Sequence, residues 1–191
     1  MFKVTSSSHL FGAFCAGFQS QWSPIAPSIQ PRNPSKICDL SVNKNWGTSP
    51  NKEYRRIISS QMDSLLDQGY GSCILKDPKI REIFLNALYF YEDKKYNVQG
   101  FVVMPNHVHL LILGKDRNNI IKAIGNVKRF STLKINELLN KKGKVWKKGS
   151  YDTLVRSEEH KIACCQYIER NPKYLPKGSY ELGGPWIHKK E

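Results

Sequence analysis

Two histidines stand two residues apart in the run Phe101-Val102-Val103-Met104-Pro105-Asn106-His107-Val108-His109-Leu110-Leu111-Ile112. On a β-strand, side chains i and i+2 share a face, roughly 6.5 Å apart. His107 and His109 can therefore converge on one ion or one phosphate, while Val108, Leu110 and Ile112 face the other way. A neutral imidazole is a common metal ligand. The plainer reading is a pair of hydrogen-bonded core histidines, each ring needing partners for two nitrogens. A second group lies downstream, in Tyr167-Ile168-Glu169-Arg170-Asn171-Pro172. Tyr167 and Asn171 are four apart and so share one helical face, with Ile162, Cys165 and Ile168 available for a neighbouring packed face. A phenol is a competent nucleophile once its pKa of about 10 is offset by a metal or a base. The plainer alternative is a tyrosine at a core edge, with Asn171 ending the helix before proline.

The elements that must position these groups are legible from periodicity. Tyr54, Ile57, Ile58, Met62, Leu65 and Leu66 recur at helical spacing, and Gly69 ends that helix. Gly71 to Leu75 reads as a short strand or loop. Asp77-Pro78 opens a second helix, with Asp as N-cap and Pro at the first helical position. Its apolar face is Ile80, Ile83, Phe84, Ala87, Leu88 and Tyr91. A strand over Gly100–Met104 and the histidine strand flank Pro105-Asn106, which suits a turn between antiparallel partners. A third helix begins near Asn118 or Asn119. Its buried stripe is expected to be Ile120, Ile121, Ile124, Val127, Phe130, Leu133 and Leu138, with Lys122, Lys128, Arg129 and Lys134 forming an exposed basic face. Val145-Trp146 and Tyr151–Arg156 read as short strands. Ser157 caps a fourth helix, with Glu158 and Glu159 in the first turn where the helix dipole favours them. This order suits an α+β domain, an antiparallel sheet covered by helices.

Composition bounds the partners. The chain has 191 residues, 40% of them apolar, a formal net charge of +14 and a pI near 9.6. One domain of ordinary size, with a tail, fits that length. The charge suits a polyanion, nucleic acid first and a membrane surface second. No apolar run approaches the ~18 residues that span a bilayer. Cys15, Cys38, Cys73, Cys164 and Cys165 form neither a CxxC pair nor zinc-ligand spacing, and their odd number argues against a disulfide framework. A reducing cytoplasm is the expected compartment. The stretch Leu10 to Phe18 imitates a signal peptide, but its basic region is thin and no A-x-A site follows. Residues 1–50 are rich in Ser, Pro and Asn and read as an irregular or disordered extension. Residues 51–175 read as the domain, and 176–191 as an irregular tail.

Together the motifs resemble a known family. Met104-Pro105-Asn106-His107-Val108-His109-Leu110-Leu111 looks like the histidine-hydrophobe-histidine motif of single-tyrosine (HUH) transposases, and in particular the REP-associated tyrosine transposases of bacteria. Asp67-Gln68-Gly69-Tyr70-Gly71-Ser72-Cys73, Asp77-Pro78, Val145-Trp146-Lys147-Lys148, Tyr151-Asp152 with Arg156, Glu158-Glu159-His160 and the Tyr167 to Pro172 block extend the match over roughly residues 54–174. The resemblance implies a ferredoxin-like domain, often a homodimer, that cuts single-stranded DNA beside an imperfect hairpin. It implies His107, His109 and Asn171 as ligands of Mg²⁺ or Mn²⁺ and Tyr167 as the nucleophile. Tyr151, beside Asp152 on an expected strand, is the rival nucleophile, though the resemblance makes that pair a structural or DNA-contacting feature. Lys128, Arg129, Lys141, Lys142, Lys144, Lys147, Lys148 and Arg156 are candidate phosphate contacts. Trp146 is a candidate base-stacking residue, with core packing as its alternative.

Two departures stand out. The family begins with a strand of Tyr-His-Val-Thr type, echoed here only by Phe2-Lys3-Val4-Thr5. After Pro172 the usual apolar continuation is replaced by Lys173-Tyr174-Leu175-Pro176-Lys177. A catalytically inactive, domesticated DNA-binding protein is the competing class. A metal-dependent hydrolase or RNA-binding protein would need carboxylates near the histidines, and Asp93 and Asp116 read as flanking turns.

Overall fold

A computed structural model describes residues 71–147 and 150–187, together with the backbone of residues 10–17; at Tyr151 the backbone alone is described. The helix expected over 53–69, most of the 1–50 extension including Phe2 to Thr5, and Lys148 lie outside the described residues.

In chain order the elements are β1 (Leu10–Gly17), a 3-10 turn (Ile74–Lys76), α1 (Pro78–Tyr89), β2 (Asn97–Val103), β3 (His107–Gly114), α2 (Arg117–Leu138), β4 (Tyr151–Val155), α3 (Glu158–Arg170) and β5 (Glu181–Gly183). The strands form one sheet in the order β4-β1-β3-β2-β5. Every pairing is antiparallel. The βαββαβ succession with order 4-1-3-2 is the ferredoxin-like arrangement, extended by α3 and β5.

The helix starts follow from capping. Asp77 accepts from the Lys79 amide ahead of Pro78, and Asp116 accepts from the Asn118 amide. Ser157 accepts from the His160 amide, with Glu158 and Glu159 in the first turn of α3. The β2–β3 hairpin closes where the Met104 amide donates to the His107 carbonyl at 2.8 Å. Its Pro105 carbonyl accepts from the Leu75 amide at 3.0 Å, which ties the 3-10 turn to the hairpin.

The two sheet faces carry different loads. Val108, Leu110 and Ile112 pack with Ile80, Phe84 and Leu88 of α1 and Ile120, Ile124 and Val127 of α2. Val102, Met104 and Leu111 pack on the other face with Cys165 and Ile168 of α3 and with Ile187. The alternation along β3 divides the core in this way.

Several expectations are corrected. Residues 10–17 are not part of an irregular extension but the central strand β1, paired with β3 on one side and β4 on the other. A strand in a sheet covered on both faces reads as a continuous apolar or small-residue run without alternation, and Leu10-Phe11-Gly12-Ala13-Phe14-Cys15-Ala16-Gly17 is such a run. The tail beyond residue 175 contributes β5, which adds to β2 from Phe101↔Gly183 to Val103↔Glu181. The buried stripe of α2 runs Ile120, Ile124, Val127, Ser131 and Ile135. Ile121, Phe130, Leu133 and Leu138 lie off it and are exposed. The 3.6-residue period carries the stripe onto Ser131, which is buried because its hydroxyl donates to the Val127 carbonyl and accepts from the Trp146 indole. On α3, Ile162 is exposed rather than packed with Cys165 and Ile168.

Candidate active site

His107 and His109 open β3, on the face opposite Val108. Both are buried, at 0% and 4% exposure. Their Nε2 atoms stand 3.0 Å apart, and His107 Nδ1 lies 2.8 Å from Asn106 Oδ1. A carboxamide oxygen only accepts, so His107 carries its proton on Nδ1 and donates it to Asn106. His107 Nε2 is then a lone pair, and His109 Nε2–H donates to it. Burial holds both rings neutral: it pushes His107 down to about 4 and, with the nearby His107 adding to the effect, His109 down to about 3. Both rings are neutral and their Nε2 atoms converge: His107 Nε2 presents its lone pair, and His109 would ligate a cation there once its proton moves to Nδ1. Asn106 is 2% exposed. The motif had assigned it only to a turn; the signal for its second role is its place immediately before the first histidine.

Helix α3 crosses this face. The Tyr167 ring stands edge-on to His109, with centroids 5.0 Å apart and planes at 82°. Tyr167 is 43% exposed, so one side of the phenol faces the histidines and the other faces solvent. One turn further on, Asn171 is the C-cap of α3, and its amide donates to the Tyr167 carbonyl at 3.0 Å. Its Oδ1 is buried and has no hydrogen-bond partner among the described residues. A buried acceptor left unsatisfied costs roughly 1–3 kcal/mol, so the oxygen is suited to a donor or cation supplied from outside the fold. Among the described residues no three His, Cys, Asp or Glu side chains gather in a metal-sized group. Two converging imidazole nitrogens, with the Asn171 amide oxygen one helical turn beyond Tyr167, have the chemistry that would suit a divalent cation with a mixed, partly hydrated shell.

Tyr151 begins β4, and the register places Cys15 of β1 between it and His109. Its neighbour Asp152 is paired with Arg117.

The basic candidates lie elsewhere. Lys128 and Arg129 are on α2, which packs on the sheet face opposite the histidines. Lys128 Nζ donates to the Lys147 carbonyl at 3.0 Å, which joins α2 to the following loop. Lys141, Lys142, Lys144 and Lys147 are exposed on that loop, and Arg156 is exposed just past β4. Val155 pairs with Phe11 and Phe11 with Leu113, so Arg156 follows the end of the sheet remote from His107. Trp146 is not available for stacking on a base. It is 5% exposed, its ring packs 5.2 Å from that of Phe84, and its indole N–H donates to Ser131 at 2.8 Å. Next to Val145 in the core, an amphipathic tryptophan has found a better partner than solvent.

Fold and site together define an α+β domain in which a helix-borne tyrosine faces a buried histidine pair. Residues 73–171 match the family model described as "Transposase IS200 like", and the chain belongs to that family of DNA-cleaving transposases. No curated protein matches it. A solved structure described as "Structure of the REP associates tyrosine transposase bound to a REP hairpin" aligns with a TM-score of 0.47 at 10% identity, over 91% of this chain and 72% of that one. Among the described residues no helix is long and apolar enough to cross a membrane.

Proposed function

We propose that this chain cuts and rejoins single-stranded DNA beside hairpin sequences through a 5′-phosphotyrosine on Tyr167. The observation that carries the reading is the edge-to-face succession of Tyr167 against His109 and His109 against His107. His107, His109 and Asn171 would hold Mg²⁺ or Mn²⁺, which when bound withdraws charge from a non-bridging oxygen of the scissile phosphate.

The chain's own groups account for the rest. Asn106 holds the His107 proton on Nδ1 and so keeps Nε2 available. The packed face of α3, with Cys165 and Ile168 buried, keeps the tyrosine helix seated on the sheet. The Tyr167 phenol loses its proton and its oxygen attacks phosphorus. The bond from phosphorus to the 3′ oxygen breaks, and that oxygen takes a proton to leave as a 3′-OH. In the second step a 3′-OH attacks the phosphotyrosine, the new phosphodiester forms and the phenol is restored. Each step exchanges one phosphate ester for another, so joining needs no nucleotide hydrolysis. The exposed lysines of α2 and its following loop would hold duplex or flanking phosphates. A cytoplasmic homodimer is the proposed working unit, by the resemblance of the motifs; sedimentation of the purified protein checks the dimer.

The test is a covalent-adduct assay with labelled single-stranded hairpins from around the protein's own gene, with Mg²⁺ or Mn²⁺, on denaturing gels. A shifted band lost in Tyr167→Phe and His107→Ala, but kept in Tyr151→Phe, is the expected result. Hairpin binding with no adduct under either metal would instead identify a domesticated DNA-binding descendant.

A further inference from the structure

Beyond Asn171 the chain makes a tight turn that neither the nucleophile nor the candidate metal donors use. The Lys173 amide donates to the Arg170 carbonyl at 3.1 Å and the Leu175 amide to the Pro172 carbonyl at 2.9 Å. These i to i+3 bonds define successive β-turns. Pro172 is buried, and Leu175 packs against the cluster beneath α3. Tyr174 is the third residue of the turn between these two anchors. It is 89% exposed, more than any other large apolar side chain described. Lys173 Nζ lies 5.3 Å from its ring centroid.

A single exposed aromatic is ordinary. Three further features set this one apart. The ring rides on a turn fixed at both ends rather than on a free loop. Every charged side chain from Arg170 to Lys177 is positive, and no carboxylate occurs between Glu169 and Glu181. Tyr174 also follows Asn171 by three residues, so their Cα atoms are at most ~11 Å apart, within reach of the nucleotides next to a phosphate held at Tyr167. A flat ring beside cations is the surface on which single-stranded bases stack, sequence-tolerantly, while the cations meet the backbone.

We propose that Tyr174, with Lys173, forms a stacking platform for a base in the single strand flanking the phosphate that Tyr167 attacks. The proposal rests on the strand-transferase reading above and names a further contact of the same site. It also gives a use to the polar and aromatic segment that replaces the family's apolar continuation after Pro172.

The test uses the full chain and two hairpins, one with single-stranded flanks on both sides and one trimmed flush. 2-Aminopurine is placed in turn at each flank position. Wild type is expected to prefer the flanked hairpin, with fluorescence quenched at one flank position. Tyr174→Ala should lose about ten-fold in affinity for the flanked hairpin, lose the quenching and bind the flush hairpin as wild type does. Tyr174→Phe should retain both. Because the side chain is exposed, the thermal melt of Tyr174→Ala should be unchanged, which separates a binding loss from a folding one. Equal flanked-hairpin affinity for Tyr174→Ala and wild type would overturn the platform alone. A wild type that binds neither hairpin would overturn the strand-transferase reading and the platform with it.

Discussion

His107 and His109 are neutral at neutral pH because the fold buries them, and this links the site to stability. Their folded pKa values lie below the ordinary histidine value of 6.5, at about 4 and about 3. Between those values and 6.5 the unfolded chain binds more protons than the native one, so stability falls as pH drops through that window. In the metal-free protein, the urea midpoint should decline from pH 7 to pH 4.5 more steeply for wild type than for a His107→Gln/His109→Gln variant. Asn106 gives a second prediction. Asn106→Ala removes the acceptor that fixes the His107 tautomer, and Mn²⁺ affinity measured by calorimetry should fall about 10- to 100-fold. The histidines and Tyr167 were legible because a period of two and a period of four each place chemistry-bearing side chains on one face. Trp146 was legible as either a base-stacking or a core residue. Val145 on one side and Lys147 on the other leave both readings open, and the tertiary contacts with Phe84 and Ser131 decide its place. Trp146→Ala should destabilise the domain by about 3–5 kcal/mol, read from chemical denaturation.

At the scale of elements, β1 is the strand that completes the sheet. It pairs with β3 over Leu10↔Gly114 to Gly17↔His107 and with β4 over Phe11↔Val155 to Cys15↔Tyr151. Without it β3 would have an open edge beside the histidines. Ala13 lies between Leu111 and Thr153. A proline there removes a ladder donor in a strand with partners on both sides, so Ala13→Pro should abolish the cooperative thermal transition followed by circular dichroism. The helices from Asp77 and Ser157 were legible from their caps, and α2 to within a residue or two of its start. β1 was not, because a strand in a sheet covered on both faces shows no polar–apolar alternation and its run of small and apolar residues imitates a signal peptide. β5 was not, because three residues carry no period. Its place is set by close approach: a Cβ on Gly184 would meet the Gly100 Cα at 2.6 Å, and Gly184 has φ +111°.

Across the whole molecule, the segment after α3 returns to hold that helix down. The Trp186 amide and indole donate to Gln99, and Lys161 of α3 places Nζ 3.6 Å from the Trp186 ring centroid. Arg81 of α1 reaches the same segment through the Gly178 carbonyl and Glu181. Trp186→Ala should therefore slow adduct formation at saturating DNA more than it weakens hairpin affinity, a split that quench-flow and equilibrium binding resolve. The sheet itself has a further consequence. It lies between the histidine face and the lysines of α2, so the α2 lysines proposed to hold DNA and the groups proposed to react with it are on opposite sides of a packed layer. Counterions returning to the DNA at higher ionic strength compete with the exposed lysines far more than with the buried histidines. Raising salt should thus increase the DNA concentration needed for half-maximal reaction while leaving the rate of a fully loaded enzyme nearly constant.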